Sequence, residues 1–141
     1  MYRIEKHNLG FKLTFGGAMS KDEMETWYKE AEKSLMGAKG PFGVIVDMRT
    51  LEPLPPDAQA TMVKGQGLFR SKGLQRSAVI LNNPLVTVQF MRLAKGSGIY
   101  AYERYLDASS DAQWQKHADE WVKSGVDPDA LSVAHKAGSA H

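Results

Sequence analysis

The stretch GPFGVIVDMRTLEPLPPDAQ, residues 40–59, carries two signals that together set the class of this chain. From Phe42 to Met48 the residues are apolar or small except for Asp47, over the length of one strand. A run of this kind is expected where both faces of a strand are covered, as in a parallel sheet. Pro53, Pro55 and Pro56 then make a stiff connector, with Pro56 or Asp57 at the start of a helix. A strand buried on both faces that hands over to a helix is the building unit of a parallel α/β sheet. In such sheets ligands gather beyond the carboxyl ends of the strands. Asp47 and the loop 47–57 are therefore the first residues to test as a recognition site.

Upstream, Tyr2, Ile4 and Lys6 alternate with Arg3, Glu5 and His7, and Phe11, Leu13 and Phe15 alternate with Lys12 and Thr14. With turn residues between them, the two runs predict a hairpin. Ser20 and Glu23 form a capping box, with Met19 and Met24 placed as its hydrophobic staple. Met24, Trp27, Tyr28, Ala31 and Leu35 then share one helical face, and Gly37 and Gly40-Pro41 stop the helix. Downstream, a second helix is expected over about 57–71, although Gly65 and Gly67 each cost about 1 kcal/mol against alanine. The two glycines there would allow close packing against the sheet. SAVIL, residues 77–81, predicts another buried strand. Asn83 as cap and Pro84 as first residue predict a third helix to about Lys95, although Val86, Val88 and Phe90 also alternate as a strand would. IYAYERYL, residues 99–106, reads as the last strand, with Tyr100, Tyr102 and Arg104 on one face. Ser110 and Gln113 make a second capping box, ahead of a stripe of Trp114, Ala118, Trp121 and Val122.

The order β-β-α-β-α-β-α-β-α predicts an α/β fold, a mixed and mostly parallel central sheet with helices packed on it. One domain is expected over residues 2–124, and 125–141 reads as a flexible tail without apolar pattern. No cysteine is present, which removes thiolate chemistry and cysteine metal sites. No segment has the length of a membrane span, and the N-terminal residues lack an apolar signal core, which points to the cytoplasm.

Net charge is only +2, yet residues 58–102 contain no Asp or Glu. Lys64, Arg70, Lys72, Arg76, Arg92 and Lys95 give that window a local charge of +6, against −1 for residues 1–57 and −3 for 103–141. Scattered over the fold these charges only solvate it. Gathered on one face they attract an acidic partner or an anionic ligand.

Tests for chemistry return little. GSG at 96–98 lacks the strand–turn–helix setting of a serine elbow. GQG at 65–67 lacks the third glycine of a dinucleotide fingerprint and lies inside a helix. His117 is the one histidine in the body of a helix, and with Glu120 it falls short of a zinc ligand set. No metal and no cofactor is expected. Nucleic acid is not expected either, because the positive window holds few aromatics and those fit a core. Trp27, Trp114 and Trp121 read as packing residues, or as the lining of an apolar pocket.

Taken together, the hairpin, the helix after GAMSKDEM, the strands GVIVDM and RSAVIL, and the closing YERYLDASSDAQWQKHADEWV resemble the SpoIIAA-like branch of the STAS family over about residues 2–123. That family includes anti-sigma-factor antagonists and cytoplasmic domains of anion transporters. The resemblance implies a non-enzymatic regulatory domain that binds a partner protein. It also implies a phosphorylatable serine where VIVD hands over to the next helix. Here LPPDAQA has none, and Thr50 is the nearest hydroxyl. Asp57 would supply a fixed negative charge at the helix start. Partner-binding residues are then expected to be Asp47, Arg49, Thr50 and Asp57, with Arg70, Lys72 and Arg76 nearby. The alternative is a carrier of a small apolar ligand or lipid, since SpoIIAA-like folds resemble the CRAL-TRIO fold. An enzyme would need Asp47 and His117 to converge. Stable membrane insertion is not expected, and a homodimer stays open.

Overall fold

Phe11, Leu13 and Phe15 turn the same way from β2 (Gly10–Gly17), and in the computed structural model all three are buried. The structure describes residues 1–130. The strand β1 (Tyr2–His7) pairs antiparallel with β2, completing the expected hairpin. β3 (Phe42–Leu51), β4 (Leu74–Leu81) and β5 (Glu103–Asp107) follow in parallel, and the sheet order is β1-β2-β3-β4-β5.

This order explains where the helices lie. Each crossover steps to the next strand in the same direction, and right-handed crossovers then place their helices on one face. α1 (Lys21–Ser34), α2 (Pro56–Ser71) and α3 (Pro84–Ser97) cover that face, over Phe15, Val44, Val46, Val79 and Leu81. α4 (Trp114–Ser124) follows the last strand and turns back over the other face, packing Ala118, Trp121 and Val122 on Ile45, Ala78, Ile80 and Leu106. The continuous apolar run in β3 is thereby accounted for, since Val44 and Val46 serve one core and Ile45 the other. On the α4 face of the sheet, Arg3 and Glu5 of β1 stay exposed, as an antiparallel edge permits. No helix among the described residues is long and apolar enough to cross a membrane.

Local signals behave as their chemistry requires. Ser20 Oγ accepts the Glu23 N–H at 3.2 Å and starts α1. Asn83 Oδ1 accepts the Leu85 N–H at 2.9 Å and starts α3. With that cap Val86 and Phe90 become one buried helical pair, and Val88 is left 67% exposed, so the strand alternative is excluded. Replacing Asn83 with alanine is expected to cost about 1 kcal/mol of folding stability, measurable as a lower urea midpoint at unchanged slope.

Five expectations change. β3 runs on to Leu51, so Asp47, Arg49 and Thr50 belong to a strand, not a loop. Residues 99–106 are not one strand. Gly98, at φ +85, closes α3, a 3-10 turn spans Ile99–Tyr102, and β5 begins only at Glu103. The turn buries Ile99 and leaves Tyr100, Ala101 and Tyr102 all exposed, whereas a strand would have turned Ala101 to the same face as Ile99. Gly65 packs on Trp27 of α1, not on the sheet, and Gly67 faces open space. At α4 the Ser110–Gln113 box does not form: Gln113 is the cap residue and makes no side-chain cap bond, while Asp111 Oδ1 accepts the Gln113 N–H at 2.9 Å in the turn before it. Finally, residues 125–130 are not a loose tail, because Arg104 grips Asp127 at 2.9 and 3.2 Å. The rest of the expected tail, 131–141, lies outside the described residues.

Candidate functional site

The seven residues expected to bind a partner do not form one surface. Asp47 and Arg49 point the same way from β3 and form a two-pronged ion pair at 3.0 and 2.9 Å. The Arg49 guanidinium lies 4.8 Å from the Trp114 ring and so ties the strand to the start of α4. Burial works against ionising Asp47, but the Arg49 side chain and its backbone N–H prevail and hold the carboxyl below its ordinary range. Asp47 is thus neutralised within the chain. Thr50 follows as an exposed strand residue beside Gly16 of β2. Asp57 is exposed in the first turn of α2, where its Oδ1 accepts the Ala58 N–H at 2.8 Å.

Arg70 and Lys72 lie at the other end of α2, about 20 Å from Asp57 at 1.5 Å per residue. Arg76 is near them in sequence but reaches across the opposite face, toward the Val122 and Lys123 carbonyls at 3.3 and 3.4 Å. There a cation suits the carboxyl end of α4. Arg76 therefore helps to dock that helix.

The connector after β3 is shorter than expected and firmly held. Gln89 of α3 takes both backbone groups of Leu54, accepting its N–H at 2.7 Å and donating to its carbonyl at 3.0 Å. Gln59 of α2 donates to the same carbonyl at 2.8 Å. Neither glutamine stands out in the sequence, because a clamp across 35 residues has no local signal.

The acid-free window does gather on one side. Lys64 and Arg70 belong to α2, Lys72 caps its carboxyl end, Arg92 and Lys95 belong to α3, and none of them is ion-paired among the described residues. Lys64 lies over Tyr28 at 4.6 Å, Arg70 over Tyr102 at 3.7 Å and Lys95 over Tyr100 at 4.9 Å. Arg92 donates to Gln59 at 2.6 Å. On α3, Leu85 and Val88 are 70% and 67% exposed and stand on the same stripe as Arg92.

Elsewhere, His117 Nδ1 meets Asp111 Oδ2 at 2.6 Å in an open groove at the end of β5. Asp47 borders a different groove, lined also by Lys12, Trp114 and Asp119. No group of three His, Asp or Glu among the described residues is placed to hold a metal.

No protein-family profile matches the sequence, and no curated protein matches it. A solved structure does. It is an uncharacterized protein of the DUF3478 family from Shewanella loihica PV-4, described as having a SpoIIAA-like fold. The likeness covers 86% of this chain and 92% of that one, with a TM-score of 0.58 at 20% identity. The fold is SpoIIAA-like.

Within this SpoIIAA-like fold, the space under α2 decides how much an interior ligand could occupy. One internal cavity of about 30 Å³ lies there, bordered by Trp27, Phe69, Phe90, Gln66, Ser77 and Glu103. Roughly 10–15 Å³ of such volume holds one water, whereas drug-sized ligands need about 300 Å³ or more. An acyl chain does not fit in this cavity.

Glu103 is the feature that sequence reasoning missed. It is 5% exposed, and its carboxylate accepts hydrogen bonds from Ser77 Oγ at 2.6 Å and Tyr105 OH at 2.7 Å. Burial pushes its pKa up, and the two hydroxyls offset that only in part. Ser77 is its cross-strand neighbour in the β4–β5 register. Nothing in the local pattern of YERYL says that its glutamate faces the core.

Proposed function

We propose that the chain is a non-enzymatic binding domain that captures an acidic partner protein on the α2–α3 layer. One observation carries this reading. Lys64, Arg70, Arg92 and Lys95 on two adjoining helices, and Lys72 at the carboxyl cap of the first, have no carboxylate partner among the described residues. Unpaired cations on rigid helices steer an acidic surface toward them. Exposed Leu85 and Val88 supply the apolar contact that a protein interface adds to charge. The connector 52–55, clamped by Gln59 and Gln89, keeps the start of α2 fixed relative to α3. Binding would therefore need little rearrangement.

Charge reversal at Lys64, Arg92 and Lys95 together is expected to weaken capture of the native partner by about tenfold or more, because like charges then face the acidic surface. Raised salt should weaken the wild-type complex too. The three side chains are exposed, so the melting temperature should hardly move. Pull-downs from the native host, wild type beside the triple variant, would check this. An identical set of captured proteins would overturn the reading. Arg49 is a poor probe for such work, since its loss also breaks the pair with Asp47.

A further inference from the structure

Glu103 stands between two spaces. It borders both the small cavity under α2 and a surface cleft of about 250 Å³. Met91, Tyr100, Arg104, Tyr105 and Asp129 wall that cleft. The other half-buried carboxylates of the described residues each have a basic group within 4 Å: Glu23 has the N-terminal ammonium, Asp47 has Arg49, Asp111 has His117, Glu120 has Lys116 and Asp127 has Arg104. Glu103 is more deeply buried than any of them and has only hydroxyl donors. A buried acid without a cation is costly to keep charged, and a fold that retains one usually has a use for it.

The walls point to what would complete it. The Tyr100 and Tyr105 rings lie 6.2 Å apart and within 28° of parallel, and Tyr100 is 39% exposed. Tyr100 already has an ammonium near its ring, that of Lys95 at 4.9 Å. Aromatic faces attract organic cations in this way. Arg104 also borders the cleft, but its guanidinium is engaged by Asp127 and has Asp129 at 3.7 Å. The charged groups around Glu103 are thus Lys95 from α3, the Arg104–Asp127 pair and Asp129. An anion would meet Glu103 and Asp129. A neutral apolar guest would leave the carboxyl without a cation.

We propose that this cleft binds a small organic cation, an alkylammonium group, which rests against Tyr100 and Tyr105 and places its charge on Glu103. On binding, the carboxyl O–H bond of Glu103 breaks, its proton passes to solvent, and the ammonium becomes the partner of the carboxylate. No oxidant or second substrate takes part. The site shares Lys95 with the basic α2–α3 surface but does not rest on that reading, and it survives if that reading fails.

Butylammonium chloride, titrated into the full chain against matched sodium chloride and followed by amide NMR, tests the idea. Saturable shifts are expected around Met91 and Tyr100–Tyr105. Affinity should be about tenfold or more tighter near pH 8 than near pH 5, because only the ionised carboxyl pairs with the guest. In unbuffered solution at a pH where Glu103 is protonated, up to about one proton should be released per cation bound. Glu103→Gln keeps an acceptor for Ser77 and Tyr105, and should lose about tenfold in affinity together with the pH dependence and the proton release. Tyr100→Ala, at an exposed ring, should weaken binding without touching the core, and Tyr100→Phe should retain it. No saturable binding near pH 8, or binding unchanged in Glu103→Gln or in Tyr100→Ala, would overturn the proposal.

Discussion

Gly65→Ala is expected to destabilise the protein by about 1–3 kcal/mol, the usual cost of forcing extra volume into a packed core. Helix propensity alone argues the opposite, since alanine is favoured over glycine by about 1 kcal/mol. The clash wins because of where the new carbon would stand, 2.3 Å from Cη2 and Cζ3 of Trp27. That indole is 1% exposed, stacked on Phe69 and edge-on to Phe15, so it has little room to withdraw. Two residues along a helix lie about 200° apart. Gly67 accordingly faces away and has nothing within 4 Å of an added carbon. Gly67→Ala is therefore expected to stabilise by about 0.5–1 kcal/mol. Urea unfolding of both variants checks the pair, and a gain at both positions would mean that the α1–α2 contact yields easily.

Glu103→Gln should make the protein more stable than wild type as pH rises. Burial raises the folded pKa of Glu103 above its ordinary value of 4.5. Below that value the group is neutral whether the chain is folded or not, and it costs nothing to bury. As pH climbs toward the folded pKa, the unfolded chain gives up its proton first, and stability falls. The loss is complete once the folded pKa is passed. Glutamine does not titrate, so the difference between variant and wild type should be small near pH 4 and widen steadily above it. Other carboxylates, among them Asp47 and Asp127, titrate in both proteins and cancel from the comparison. Glu103→Ala does not titrate either, so its stability should follow pH in parallel with Glu103→Gln but lie below it throughout. It strips Ser77 and Tyr105 of their acceptor, and each buried hydroxyl left unpaired costs about 1–3 kcal/mol. Urea midpoints for the three proteins across the pH range would separate these outcomes, and a constant offset between Glu103→Gln and wild type would sink the argument.

Much of the fold was legible before any coordinates. The capped starts of α1 and α3, the hairpin and the doubly buried β3 all follow from the residues that form them. The site was less legible. Asp47, Arg49 and Asp57 drew attention because they stand at a strand–helix junction, the usual place for recognition. Asp47 and Arg49 answer each other across two residues of one strand face, a pairing that period-two spacing permits but does not announce. Arg70, Lys72 and Arg76 are neighbours in sequence, yet Arg70 and Lys72 remain with the helical layer while Arg76 crosses to α4. The acid-free window was visible as a count, and only the packing of α2 beside α3 made it a surface.

What the residues settle alone is the succession of strands and helices, because periodicity and capping join groups no more than about four positions apart. The meeting of Glu103 with Ser77 spans 26 residues, and that of Arg104 with Asp127 spans 23. Such pairs exist only after strand register and crossover direction have brought the parts together. They are products of the folded sheet, and so are the buried acid, the clamp on Leu54 and the small volume of the cavity.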